Sequence, residues 1–250
     1  MLKIKTILFL SVAAVLLFGI IGFTTVKSGS KRVRDVQVNI LDQDGNYFTD
    51  KQEVLNLINN NNTDYVLSLS LSQIDLKTLE MQVESHPFIK QAEVYHDIKG
   101  NLIVKVEQAK PIARIFNPKG PDQYIDEEGF LLPTSQKHTA RVPIIEIERG
   151  FSWKENITEL EYGQKILELL QFVQQDEFWR AQIAQLVIDK KGEITFLPQV
   201  SKQEVVFGMP EDIESKFRKL KIFYKEILPN KGWNTYTAVN LKFKNQIVCE

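Results

Sequence analysis

Three histidines and one cysteine are the side chains of this 250-residue chain best suited to ligate a metal or to act as nucleophile or base. His86 precedes a proline, His96 closes an alternating run, and His138 lies in a polar stretch. None stands at H-x-x-x-H or H-E-x-x-H spacing, so no helix face gathers two imidazoles for zinc. Cys249 has no base beside it in sequence to draw off its proton, and a lone thiol makes no internal disulfide. The motifs of acyl transfer (G-x-S-x-G), phosphate cradling (the P-loop) and dinucleotide binding (G-x-G-x-x-G) do not occur. Asp126-Glu127-Glu128, ahead of Gly129, reads as a turn. A carboxylate pair for glycoside cleavage is defined by distance in space, so spacing along the chain leaves that chemistry open. The 31 Lys and Arg nearly balance the 32 Asp and Glu, and Trp153, Trp179 and Trp233 do not interleave with basic residues. No charged or stacking platform for nucleic acid is therefore expected. The chain is expected not to be an enzyme, and to use no metal, cofactor, small-molecule substrate or nucleic acid.

The elements that would position such groups begin with residues 6–23, an uncharged run rich in Ile, Leu, Val and Phe. A helix of that length rises about 27 Å, near the hydrocarbon thickness of a bilayer, and exceeds the roughly 7–15 apolar residues of a signal peptide. A transmembrane helix over 6–23 is expected, after a tail at 1–5 and before a basic juxtamembrane linker at 24–34. Lys3 and Lys5 flank one side and Lys27, Lys31, Arg32 and Arg34 the other. The charge rule for topology does not choose between the two orientations. The very short tail favours export of the C-terminal bulk.

Hydrophobic content of 43% with 25% charged residues describes ordinary globular material rather than disorder, so residues 35–107 and 108–250 are read as two folded domains. In the first, Val36, Val38 and Ile40 alternate as a strand, and Asp42–Asn46 is a turn. Thr49 and Gln52 form a capping box for a helix carrying Val54, Leu55 and Ile58, which Asn59–Asn62 stops. Asp75 caps a second helix with Leu76, Leu79 and Val83, and Pro87 lies beyond its end. Ala92, Val94 and His96, then Leu102, Val104 and Val106, alternate around Lys99-Gly100-Asn101 as a β-hairpin. The order is β-α-α-β-β, with both helices on one sheet face.

The second domain is mixed and β-rich, with strands at Ile112–Phe116, Gln123–Asp126, Pro143–Ile147, Ile183–Ile188 and Glu193–Phe196, and one through Val205 and Phe207. Two longer helices are expected: one with Ile166, Leu169, Leu170 and Val173, and one with Ile213, Phe217, Leu220, Tyr224 and Ile227, which Pro229 ends. Val239, Leu241 and Phe243 then alternate as a strand that Asn245 turns back into Gln246–Cys249. The fold class is α+β: a transmembrane helix, a small β-α-α-β-β domain and a larger β-rich domain.

Four segments in this order resemble the FtsQ/DivIB family. His86-Pro-Phe-Ile-Lys-Gln-Ala-Glu-Val94, within the β-α-α-β-β unit, is similar to that family's POTRA domain. Glu107-Gln-Ala-Lys-Pro-Ile-Ala-Arg114 resembles the junction into its β domain, and Tyr124-Ile-Asp-Glu-Glu-Gly-Phe130 the turn that opens it. Ala238-Val-Asn-Leu-Lys-Phe243 is similar to the closing strand, with Asn240 and Lys242 where the family often has Asp and Arg. The resemblance implies a divisome scaffold in the cytoplasmic (inner) membrane, single-pass, with a cytoplasmic N-terminus and its bulk extracytoplasmic at the division septum. It would recruit FtsB- and FtsL-type proteins and help coordinate septal cell-wall synthesis, with the POTRA domain meeting other divisome proteins.

In that family a partner adds a strand to an edge near the C-terminus, using unpaired main-chain groups for affinity and alternate side chains for choice. The residues implied here are Lys242, Phe243, Asn245, Gln246, Ile247, Val248 and Cys249, with Phe243 as apolar anchor and Lys242 facing an acid of the partner. With no tail beyond Glu250, the last strand itself would make the contact. Alternation leaves open whether Phe243 faces the partner or the core, and Lys242 has solvent as its other setting. A POTRA-bearing chaperone or outer-membrane assembly component is the alternative. An envelope hydrolase built on the carboxylates is a third.

Overall fold

The computed structural model describes residues 31–41, 45, 47–62, 65–148, 153–200 and 202–250. The expected transmembrane helix at 6–23 and most of the turn at 42–46 lie outside them. Among the described residues no helix is long and apolar enough to cross a membrane. The chain divides into two compact units, Met1–Gln108 and Ala109–Glu250.

The first unit runs β1 (Val36–Leu41), α1 (Lys51–Ile58), α2 (Tyr65–Ser68), a 3-10 turn at Leu71–Gln73, α3 (Leu76–Glu84), β2 (Ile89–His96) and β3 (Leu102–Gln108). The sheet order is β1-β3-β2, with β1 parallel and β2 antiparallel to the central strand. The even positions of β3, Leu102, Val104 and Val106, are fully buried and meet Val54 and Ile58 of α1 and Val83 of α3 in one core. Burying a side chain of this kind contributes about 1.5–3 kcal/mol, enough to hold short helices that would not persist alone. Asp75 caps α3 through the amides of Lys77 and Thr78. The cap of α1 differs from expectation by one residue. Asp50 accepts from the Glu53 amide at 2.9 Å and the Glu53 carboxylate from the Asp50 amide at 3.4 Å. Thr49 is unavailable because Phe48 stacks on Phe88 at 4.3 Å inside the core and takes Thr49 with it, where the Thr49 amide donates to Gln108 Oε1.

The second unit holds β4 (Pro111–Ile115), β5 (Gln123–Asp126), β6 (Leu131–Pro133), β7 (Ile144–Ile147), α4 (Glu161–Gln175), α5 (Glu177–Gln182), β8 (Ile183–Ile188), β9 (Ile194–Pro198), β10 (Glu204–Gly208), α6 (Ile213–Ile222), a π turn (Phe223–Ile227), α7 (Leu228–Lys231), β11 (Ala238–Asn240) and β12 (Val248–Cys249). Its sheet has the order β12-β11-β10-β9-β8-β7-β4-β5-β6. Ile166, Leu169, Leu170 and Val173 of α4 face the core. The short α5 is an addition to the expected elements, because six residues are too few for a 3.6-residue period to show. It carries Trp179, which is 2% exposed and lies 4.9 Å from the ring of Phe217 on α6.

Pro229 does not end the second long helix. The chain passes through the π turn, in which the Leu228 amide reaches Phe223 O, and continues to Lys231 before Gly232 turns it at φ 105°. A proline ring clashes with the carbonyl four residues back, and the wider turn moves that carbonyl away. Pro229 then occupies the first turn of α7, where its missing N–H leaves no gap in the ladder.

The turn expected at Glu127-Glu128-Gly129 is present and is organised from within. Asp126 is buried, and its Oδ1 accepts from the amides of Glu128 (3.0 Å) and Phe130 (2.8 Å). Burial nevertheless raises its pKa above the ordinary 3.8, against the pull of those amides. A raised carboxylate favours the folded state while protonated, so stability falls as pH rises from the unfolded to the folded pKa. Asp126→Asn keeps the acceptor and loses the charge. Its melting temperature relative to wild type is expected to be higher at neutral pH than near pH 3, whereas Asp126→Ala costs about 1–3 kcal/mol at either pH.

Gly163 generates a second expectation. A Cβ there would stand 1.8 Å from the main-chain oxygen of Ile157. Helix propensity favours Ala over Gly by about 1 kcal/mol, but moving backbone to relieve overpacking costs about 1–3 kcal/mol or more. Gly163→Ala is therefore expected to destabilise, lowering the melting temperature by about 2–4 °C per net kcal/mol in thermal scans. An unchanged or raised value would contradict this packing.

Candidate functional site

β12 is the end strand of the nine-stranded sheet. Its register with β11 pairs Val239 with Cys249 and Asn240 with Val248. One step further, Glu250 N–H donates to Ala238 O at 3.0 Å and Ala238 N–H returns to Glu250 O at 3.2 Å. Antiparallel pairs alternate between bonded and non-bonded, so Glu250 and Val248 face β11 while Cys249, next after the lead-in through Ile247 and Val248, directs its N–H and C=O groups to the open side. The side chains of Ile247 and Cys249 pack as half-buried neighbours of the core. This is the chemistry that accepts an added strand: fixed main-chain donors and acceptors on a rigid edge.

The expected strand from Val239 to Phe243 stops at Asn240. Val239 and Leu241 are fully buried, and the Leu241 amide makes the last ladder bond to Val206 O. Beyond it three contacts take the chain off the sheet. Asn240 Oδ1 accepts from the Lys242 amide at 3.0 Å, while Lys219 Nζ on α6 donates to Leu241 O at 2.8 Å and to Phe243 O at 2.5 Å. Carbonyls turned toward a lysine cannot serve a ladder. Phe243 thus sits in a turn with Lys244 and Asn245 instead of on a strand, and is 46% exposed. Ile222, one turn along α6 from Lys219, is exposed too. Gln246 and Ile247 lead into the strand, which is confined to Val248 and Cys249.

Lys242 lies neither in the core nor loose in solvent. Its stem crosses Gly208, where an added Cβ would stand 2.7 Å from Lys242 Cγ, and its ammonium pairs with Glu193 at 3.1 Å. Gly208 has φ +76° and ends β10 at a register shift, a place suited to glycine. Both partners of the ion pair are more than a third exposed, and such pairs are worth about 0–1 kcal/mol. An incoming carboxylate can therefore share or replace Glu193 at little cost.

Two lysines of α6 hold this region from behind. Lys216 is buried, donates to Met209 O at 2.7 Å and lies 4.5 Å from the ring of Phe207. Burial pushes its pKa down, as it does for Lys219. Neither residue, nor Glu193 or Gly208, stands out in the sequence, since lysines beside an apolar stripe read as solvated. Burial pushes the Cys249 thiol up, away from the thiolate form that nucleophilic chemistry needs. Among the described residues no group of three or more His, Cys, Asp or Glu is placed to hold a metal ion.

Two family models match this chain. Residues 110–250, more than half of it, match the C-terminal related region of FtsQ/DivIB, and residues 31–107 match a POTRA-like domain. The chain is also similar to the cell division protein FtsQ of Rhodothermus marinus, at 26% identity over 183 residues. That match covers 72% of this chain and 66% of the relative, just under two thirds of its length.

The Lys219 contacts with Leu241 and Phe243 have a measurable consequence. Lys219→Met keeps the stem and removes the donations to Leu241 and Phe243. It is expected to cost about 1–3 kcal/mol and to speed amide exchange over residues 242–249 by a larger factor than in β8 and β9. Equal exchange in both proteins would mean that Lys219 does not hold the turn.

Proposed function

We propose, from the premise that the chain belongs to the FtsQ/DivIB family, that it is a non-enzymatic scaffold of the bacterial division machinery. Anchored by residues 6–23 in the cytoplasmic membrane, with both units outside the cytoplasm, it takes FtsB- and FtsL-type partners onto its C-terminal edge. In this way it helps time septal cell-wall synthesis. The first unit meets other divisome proteins.

One observation supports the edge above all: Cys249 presents its main-chain groups on the open side of the last strand. A partner strand would pair with them and extend the sheet. Phe243 and Ile222 offer exposed apolar surface, and Lys242, already loosely held by Glu193, would meet a carboxylate. Asn245 and Gln246 would line the approach. The half-buried side chains of Val248 and Cys249 hold the edge in place and leave recognition to the backbone and to the turn before it.

Proline separates this mode from side-chain contact, because it removes the outward N–H of an edge strand and leaves the inner ladder intact. Cys249→Pro is expected to weaken binding of the cognate FtsB-type extracytoplasmic segment at least about tenfold in calorimetry with the detergent-solubilised chain, while Cys249→Ala binds as wild type. Phe243→Ala should weaken it by a similar factor. Equal affinity of the proline variant and wild type would remove strand addition at this edge.

A further inference from the structure

The three-stranded sheet of the first unit also ends in an edge, β2, but this edge is occupied. Ala92 and Val94 stand opposite Val106 and Val104 in the β2–β3 register, and their side chains enter the core. Their amides do not serve β3. Ala92 N–H donates to Glu84 Oε1 at 3.0 Å, and Val94 N–H donates to Glu80 Oε1 at 2.9 Å. Two successive outward donors of an edge strand are thus each taken by a carboxylate from α3.

The fit follows from elementary geometry. Glu80 and Glu84 are four residues apart on a helix, a rise of about 6 Å. Ala92 and Val94 are two residues apart on a strand, about 6.8 Å. The tight connection through Pro87 sends β2 back along α3, so the later glutamate meets the earlier strand residue. Helix pitch and strand pitch nearly coincide over this one step, and the carboxylates fall onto alternate amides. A strand approaching β2 would bring carbonyl oxygens to positions already filled by carboxylate oxygens. It would have to displace both, against charge repulsion and the loss of two charge-assisted hydrogen bonds.

We propose that Glu80 and Glu84 are edge guards that close the β2 side of the first unit to strand addition. Natural sheets protect edges with charged groups and with cover from neighbouring elements, and here a helix supplies both at once. Strand exchange is thereby directed away from β2. Once the guards are removed, the surface fits an extended segment with free main-chain groups, and in purified protein the available occupant is β2 of a second copy. This inference does not rest on the proposed division role; it concerns only the first unit.

The test is residue-resolved hydrogen exchange on the full chain in detergent, with sedimentation velocity beside it. Glu84→Ala is expected to speed exchange at Ala92 by about tenfold or more while leaving Val94 near wild type, and Glu80→Ala to do the reverse. The Glu80→Ala/Glu84→Ala chain is expected to exchange quickly at both sites and to self-associate beyond the wild-type state as concentration rises. Glu80→Gln/Glu84→Gln retains an acceptor oxygen at each site and is expected to keep both the protection and the wild-type association state. If either single variant leaves its paired amide unchanged, or speeds both amides equally, the assignment is wrong. If both amides open in the double alanine variant without added self-association, the guards cap the strand but do not exclude a partner, and the proposal is overturned. Should the double variant fail to fold, the two single variants decide.

Discussion

The second unit is organised around one side chain, Phe217. From α6 its ring meets Phe172 of α4 at 4.8 Å, Trp179 of α5 at 4.9 Å, Phe207 of β10 at 5.5 Å and Phe196 of β9 at 5.9 Å. Aromatic rings carry large buried area together with directional preference, so a cluster of five fixes orientation as well as proximity. It sets α6 at one position and angle against β9 and β10. Two residues along α6, Lys219 is then aimed at the carbonyls of Leu241 and Phe243, and Lys216 at that of Met209. The C-terminal edge is therefore held by the core, through a lysine whose ammonium replaces part of its lost water with main-chain oxygens.

Charge is used differently at the β2 and β12 edges. On β2 two glutamates take the outward amides of Ala92 and Val94. Near β12 the charged groups act on the flanking turn: Lys219 bends the chain off the sheet, while Lys242 and Glu193 stay half-exposed. The same interaction, a charged side chain on a main-chain group, closes one edge and shapes the approach to the other. Which outcome results depends on whether the charge meets the strand or the segment before it.

Much of the fold was legible because periodicity and punctuation are local. Val36/Val38/Ile40, Leu102/Val104/Val106 and Ile166/Leu169/Leu170/Val173 alternate or recur as their elements require, and each lies in its expected strand or helix. Asp75 capped its helix for the same reason. The short α5 was missed for its length, and in three other misses a distant contact outweighed a local preference. Thr49 was drawn inward with Phe48, so Asp50 became the cap. Pro229 was accommodated by a π turn once Phe223, Tyr224 and Leu228 were committed to the core. The strand expected to reach Phe243 ended three residues early, at Asn240, because Lys219 reached the Leu241 carbonyl from a helix 22 residues away in sequence.

By itself the sequence determined the order of elements, the family resemblance and the C-terminal segment in which the candidate site falls. These depend on residue type and short spacing, which folding does not alter. Tertiary structure alone decided which edge is open and which is guarded, that Phe243 faces out from a turn, and that Lys242 already has Glu193 for a partner. Such features depend on where a side chain's charged end arrives after the core has packed. A lysine at 219 or a glutamate at 80 or 84 looks like any solvated residue until a buried ring or a matching pitch brings a main-chain group within 3 Å of it.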